Sequence, residues 1–439
     1  MKNFPWIIGT FLFGFFACDP KEDFIPDPSG LAVKEAVFES MSEWYFWNEE
    51  LPAAVDYSKY STNEELLEAI KFKPLDRFSY LTTQEEFNNS FVGKNAGHGF
   101  GYAFASDDKL YISYVFDESP AGKDGWKRGW EITHINGKSV ADYKTSSGAY
   151  DFKLGGPDPG ITNTFTFKLP DGSATTRSNV KAEYQSNSVL EKKIFDLGGK
   201  KVGYWAYQSF KATAGLNPTQ STEVKTSMEF FQGAGIQELI IDLRYNGGGS
   251  VAVAEQIVNN LIQASNSGKL MYVNKYNSLK SNLATNHAFA KIGSISLDKV
   301  IFITSRGSAS ASELVINILD SYLDVVLIGD NTYGKPVGSF PLSSYSKVLK
   351  NNNVELVPIT FAIANADGKA DYFDGFPADF YVGDSPQYPW GDERDLRLAA
   401  ALNYIQNGNI GGRLLNSYYK PKWEMIDDFE GLRQEFPVY

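Results

Sequence analysis

Three runs constrain this chain more than anything else in it: Glu238 to Arg244, Lys299 to Thr304 and Val325 to Gly329. Each is short and holds an unbroken stretch of three or more apolar residues, mostly Ile, Leu and Val. A strand with one wet face alternates polar and apolar residues. A run that does not alternate is buried on both faces, as when helices cover a parallel sheet. Helical stretches separate them, at Val251 to Ala264 and at Ser312 to Leu323, where Leu314/Ile318 and Val315/Leu319 are i,i+4 pairs. Val202 to Trp205 adds a further short strand. From about Lys193 onward this alternation predicts an α/β core, a mixed or largely parallel sheet with flanking helices.

With 439 residues the chain has room for two or three domains. Residues 31–94 read as a small N-terminal helical domain: Ala32, Val37, Met41 and Trp44/Tyr45 recur at helical spacing, and Thr62-Asn63-Glu64-Glu65 opens a second helix. In residues 95–187 the texture changes to glycines and short alternating strands, Tyr102 to Phe104 and Leu110 to Val115 around the turn residues Ser106-Asp107-Asp108. Ser119 to Lys138 then reads as a short helix, a glycine exit, a strand and an Asn136-Gly137 hairpin turn. This segment is similar to the PDZ modules of bacterial proteases, with Trp130 where those modules have an aspartate. By that resemblance Gly97, His98, Gly99 and Phe100 form a loop whose N–H groups bind a peptide's terminal carboxylate while the peptide adds a strand. The alternative is a small β-barrel without peptide specificity. Residues 188–406 form the α/β core, and Asn407 to Tyr439 carries no recognisable motif.

The first residues differ from all of this. Lys2 precedes a 14-residue apolar run, Phe4 to Ala17, too short for a typical membrane span and suited to a signal-peptide core. It ends at Cys18, the only cysteine of the chain. A small residue followed by cysteine resembles a bacterial lipobox, which implies removal of residues 1–17 and a lipid anchor on Cys18; Phe15 departs from that pattern. The alternative is a plain secretory signal. Residues 18–30, rich in Pro and Asp, read as a tether. The expected location is the cell envelope, facing the periplasm or the exterior. One cysteine excludes an intrachain disulfide. With His98, His134 and His287 scattered, a Cys/His zinc site is excluded too, and no motif calls for a metal or cofactor. The formal charge of −12 argues against nucleic acid as a partner.

Chemistry-bearing residues follow each buried strand. After the first comes Asn246-Gly247-Gly248-Gly249, where glycines let the backbone turn and present N–H groups. It lacks the lysine of a phosphate loop and the spacing of a dinucleotide fingerprint, so an oxyanion hole and an ordinary glycine turn remain as readings. After the second comes Gly307-Ser308-Ala309-Ser310-Ala311-Ser312-Glu313. Ser310 here is either a nucleophile on a strand-to-helix turn or the Ser of a capping box with Glu313. After the third comes Thr332-Tyr333-Gly334-Lys335. Alone, Lys335 reads as a surface residue. Beside Ser310 and buried among apolar groups, its pKa would fall and its amine could take the serine proton.

In this order the three motifs resemble the carboxy-terminal processing (tail-specific) peptidases, in their branch of PDZ-containing bacterial lipoproteins. The resemblance runs from about residue 31 to 406, including Asp371 to Pro377 and Gly391-Asp392, and the 25 residues from Ser310 to Lys335 match the family spacing. It implies a serine endopeptidase with Ser310 as nucleophile, Lys335 as general base, and an oxyanion hole from Ala311 with Gly247 or Gly248. Glu313 and Thr332 fall on supporting positions. Ser339 stands where some members carry a glutamine that orients the lysine; Ser321, with Asp320 before it, stands where others carry an aspartate. Ser339 and Thr332 are the candidates to orient Lys335. The implied partners are polypeptides with apolar C-termini. A catalytically inactive binding lipoprotein and an anchored adaptor are the competing readings.

Overall fold

The computed structural model describes residues 30–146, 148–215 and 219–412. The proposed signal peptide, Cys18 and most of the tether lie outside the described residues, as does the tail beyond residue 412.

The three diagnostic runs are adjacent strands of one six-stranded sheet. Its order is Val189–Leu197, Lys200–Tyr207, Glu238–Asp242, Lys299–Thr304, Asp324–Gly329 and Phe380–Tyr381. The first pair is antiparallel and all later pairs are parallel, so the expected mixed sheet is present. Successive side chains serve opposite faces. Leu239, Ile241, Val300 and Phe302 meet the helices Thr222–Ala234, Val251–Leu261 and Ala311–Asp320, whereas Ile240, Ile301 and Ile303 meet the helix Leu396–Asn407. Such strands cannot alternate in polarity, because both faces are dry. Burial of each of these side chains stabilises the fold by about 1.5–3 kcal/mol. Parallel strands end at one edge, so the loops after Asp242, Thr304 and Gly329 emerge together.

A second, four-stranded antiparallel sheet joins Thr285–Ala288, Leu270–Lys275, Ile359–Asn365 and Val337–Ser339. The N-terminal helices Leu31–Trp44 and Asn63–Ile70 pack on it without a core of their own. Val37, Met41, Leu66 and Phe78 share one cluster with Ala309, Tyr333, Val337, Leu356 and Ile359, and strand Tyr80–Thr83 pairs with Val354–Val357.

The β-rich module hangs from an antiparallel neck, Lys94–Gly97 against Ala182–Gln185. Its strands run Phe100–Phe104, Leu110–Val115, Glu131–Ile135, Thr162–Lys168 and Ala174–Val180 across one sheet. Phe100, Trp126, Phe165 and Phe167 fill its core. The expected hairpin is present, with Asn136 at φ 49° and Gly137 at φ 78°. Beyond Tyr143 the chain forms no helix before Thr162 among the described residues; instead Phe152 packs on Tyr102 and Tyr150 on Phe104.

Candidate active site

Ser310 is the first residue of the site to consider, because its sequence fits a nucleophile but fits the far commoner helix cap as well. Ordinary caps of this chain take extended backbone: Ser221 at φ −107°, ψ 125°, Ser119 at −74°, 165° and Thr83 at −88°, 153°. Ser310 instead sits at φ 55°, ψ −114°, left-handed for a residue with a Cβ. Strain of this kind costs about 1–3 kcal/mol and collects at functional sites.

Glu313 explains how the turn is held. Fully buried, its carboxylate accepts from the N–H of Ser310 at 3.0 Å, and also from the N–H groups of Gly334 at 2.7 Å and Lys335 at 2.8 Å and from the Thr332 hydroxyl at 2.6 Å. One anion therefore ties the serine turn to the lysine loop. Burial pushes the Glu313 carboxyl above its ordinary value, and these donors pull in the opposite direction. The capping-box pattern is present, and Glu313, besides reaching back to the Ser310 backbone, also bonds the neighbouring strand end.

Lys335 is buried, 2% exposed, and lines one small pocket with Ser310, Ala311, Val251, Leu314 and Tyr372. Its Nζ lies 5.8 Å from the centre of the Phe78 ring. The surface-residue reading of Lys335 is thereby corrected: neighbouring strand ends bring it inward. The two candidates to orient it fare differently. Ser339 carries a buried hydroxyl with no hydrogen-bond partner among the described residues, on a strand whose register shifts between Gly338 and Ser339. Thr332 donates to Glu313 and accepts from the Phe376 N–H at 2.7 Å, so Glu313 links it to the Lys335 loop. Ser321 and Asp320 close the far end of the helix Ala311–Asp320, about 15 Å from Ser310.

The glycine loop abuts the serine. A Cβ on Gly248, at φ 115°, would lie 2.8 Å from Ser310 Cβ and 3.0 Å from Ala311 N. Ala311 is the first helical residue, so its N–H has no acceptor within the helix. The Gly248 N–H donates to Asn246 Oδ1 at 2.9 Å, so this N–H is already engaged within the loop. Three residues that pattern reading did not single out also belong here. Arg77 and Arg306 reach carbonyls of the lysine loop, and Tyr372 lines the pocket. Neither arginine sits in a motif, and Tyr372 lies in the Asp371 to Pro377 segment without a role of its own there; only the folded chain shows what they touch.

The proposed peptide-binding residues lie at the neck of the β-rich module. Gly97 and Gly99 adopt positive φ, 149° and 80°, and Phe100 opens a strand with a neighbour on one side only. The His98 ring is wholly buried between Asn163 and Asn179, at 2.8 and 2.7 Å, and burial lowers its pKa. Its imidazole is a structural brace, and any contact with a peptide would come from the loop backbone.

Residues 201–354 match the family model described as Peptidase family S41, and residues 32–80 match the Peptidase S41 N-terminal domain. Among curated relatives, the chain is 25% identical over 275 residues to Carboxyl-terminal-processing peptidase 3, chloroplastic, of Arabidopsis thaliana, covering 59% of this chain and 50% of that protein. It is 25% identical over 264 residues to Carboxy-terminal processing protease CtpB of Bacillus subtilis, covering 60% and 50%. The match thus spans about half the length of these relatives. In fold it is similar to the crystal structure of a "Putative S41 protease" from Bacteroides fragilis, with a TM-score of 0.68 at 23% identity over 88% of this chain and 99% of that one.

Proposed function

We propose that this chain, supported as a peptidase of family S41 by its family-model matches and its curated relatives, is a serine endopeptidase working through Ser310 and Lys335. The observation that carries the reading is the strained backbone of Ser310 in a pocket shared with a buried lysine. A cap needs neither the strain nor the lysine.

In this mechanism Lys335 Nζ takes the hydroxyl proton as Ser310 Oγ attacks the scissile carbonyl. The tetrahedral oxyanion is met by the Ala311 N–H and a glycine N–H of the loop 247–248, at the positive end of the helix Ala311–Asp320. The lysine then protonates the leaving amine, and water hydrolyses the acyl-serine. Val251, Leu314 and Tyr372 beside the serine favour an apolar side chain at the cut. The β-rich module acts as a PDZ-like dock, its open strand Phe100–Phe104 and the loop 97–99 receiving an apolar C-terminal tail. Cys18, lipidated, would hold the enzyme to the envelope membrane. No helix among the described residues is long and apolar enough to cross a membrane.

Single-turnover cleavage of an unfolded reporter with an apolar C-terminus tests this, comparing wild type with Ser310→Ala and Lys335→Ala. Cutting by wild type alone supports the mechanism. Tail binding without cutting in all three would replace it with the binding-lipoprotein reading.

A further inference from the structure

We propose that Arg77, from the N-terminal helical segment, is a positioning residue for the Lys335 loop, so that the catalytic site is incomplete without that segment. This rests on Lys335 as the general base. The loop is bound on both sides of its peptide groups. Its N–H groups at Gly334 and Lys335 face the Glu313 carboxylate. Its carbonyls face two guanidiniums: Arg306 Nη1 lies 2.6 Å from Thr332 O, and Arg77 Nη2 lies 3.0 Å from Tyr333 O and 3.4 Å from Gly334 O. The same Arg77 nitrogen is 3.2 Å from Phe373 O, the oxygen that a Cβ on Gly334 would meet at 2.1 Å. An anion on the N–H side and cations on the C=O side align with the peptide dipoles and oppose rotation of the loop.

Arg77 is itself fixed. Asp76 Oδ1 accepts from the N–H groups of Phe78 and Ser79, each at 2.9 Å, and Oδ2 from the hydroxyls of Tyr45 and Ser79, each at 2.6 Å. The Ser79 hydroxyl in turn accepts from the Ile359 N–H at 3.0 Å. The guanidinium lies against the rings of Phe78 and Tyr333, at 5.1 and 4.8 Å. A planar cation with several donors suits adjacent carbonyls and ring faces in a way that a lysine ammonium does not.

The test uses the full chain with Arg77→Ala and Arg77→Lys, measured for saturating single-turnover cleavage, half-saturating substrate concentration, melting temperature and amide hydrogen exchange at Gly334 and Lys335. Arg77→Ala is expected to slow cleavage on the order of 10²-fold, the scale of a small misplacement of a reacting group, with half-saturation little changed and faster exchange at both amides. Arg77→Lys should recover part of the rate. An unchanged rate and unchanged exchange in folded Arg77→Ala would overturn the proposal. So would equal losses in both variants that track a lowered melting temperature, since Arg77 would then serve only the fold. If wild type itself fails to cut, the protease reading falls, and the exchange comparison alone decides whether Arg77 holds the loop.

Discussion

At the scale of single residues, Glu313 joins the two halves of the site. It accepts from four groups, three of them backbone N–H. Glu313→Gln turns one acceptor into an NH2 that faces a donor, leaving buried polar groups unmatched at a cost of about 1–3 kcal/mol each. The expected result is a lower melting temperature together with at least about tenfold slower cleavage, because the serine turn and lysine loop lose their common anchor. Calorimetry and single-turnover kinetics on the same preparation check it; wild-type kinetics in a destabilised variant would mean that the anchor serves stability alone. A serine three residues before a glutamate carries the same pattern in a cap and at a nucleophile. The difference lies in φ and ψ, and in which strand end the glutamate reaches.

Among elements, the glycine loop and the serine turn pack so closely that neither tolerates a side chain between them. Gly248→Ala would place a Cβ 2.8 Å from Ser310 Cβ at φ 115°, costing about 1–3 kcal/mol in backbone strain alone. Since the atom displaced belongs to the proposed nucleophile, cleavage should fall by at least about 10²-fold while far-ultraviolet circular dichroism stays native. Activity within a few-fold of wild type would show that the loop can retreat. The strands behind this contact were legible because burial on both faces writes itself into sequence: Lys299–Thr304 was read to the residue, and Glu238–Asp242 was overrun by two. The helix Gln84–Phe91, opened by a capping box at Thr83 and Glu86 and burying Phe87, falls inside the helical stretch expected of the N-terminal segment. Arg77, by contrast, was illegible. Its role depends on carbonyls 256 and more residues away, a separation across which local pattern carries no information.

For the whole molecule, the joint between the β-rich module and the core is made of buried charge, and that makes it sensitive to pH. Arg128 of the module donates to Tyr388 O at 2.8 Å and Ser113 O at 2.6 Å, pairs with Asp395 at 3.3 Å and lies 3.9 Å over Trp390. Asp395 and Asp384 in turn bind Arg244, within the strand end that leads to the glycine loop. Burial opposes ionisation of Asp384, but Arg244, Arg397, Arg128 and the Tyr245 hydroxyl hold its carboxyl well below the usual range. A carboxylate depressed in this way stabilises the folded state above its unfolded pKa of about 4 and loses that contribution as pH falls below it. Acid should therefore expose the neck strands to proteolysis, and Asp384→Asn should expose them already at neutral pH. Lys211, at the same neck, changes stability with pH in the same direction but in a higher window, because there the charged form is the disfavoured one. Its ammonium lies 2.6 Å from Ser186 Oγ and 4.9 Å from the centre of the Phe116 ring, and burial pushes its pKa down to about 7 against a weaker pull upward from Glu223. Between about pH 7 and its unfolded value near 10.4 the folded state holds fewer protons than the unfolded, so stability rises with pH across that window. Below it the folded state carries a buried ammonium. Lys211→Met removes that charge, and its melting temperature should exceed that of wild type most at pH 6, with the gap closing toward pH 10. A gap independent of pH would mean that the lysine is ionised in the folded state throughout, held by Glu223 more firmly than its burial opposes.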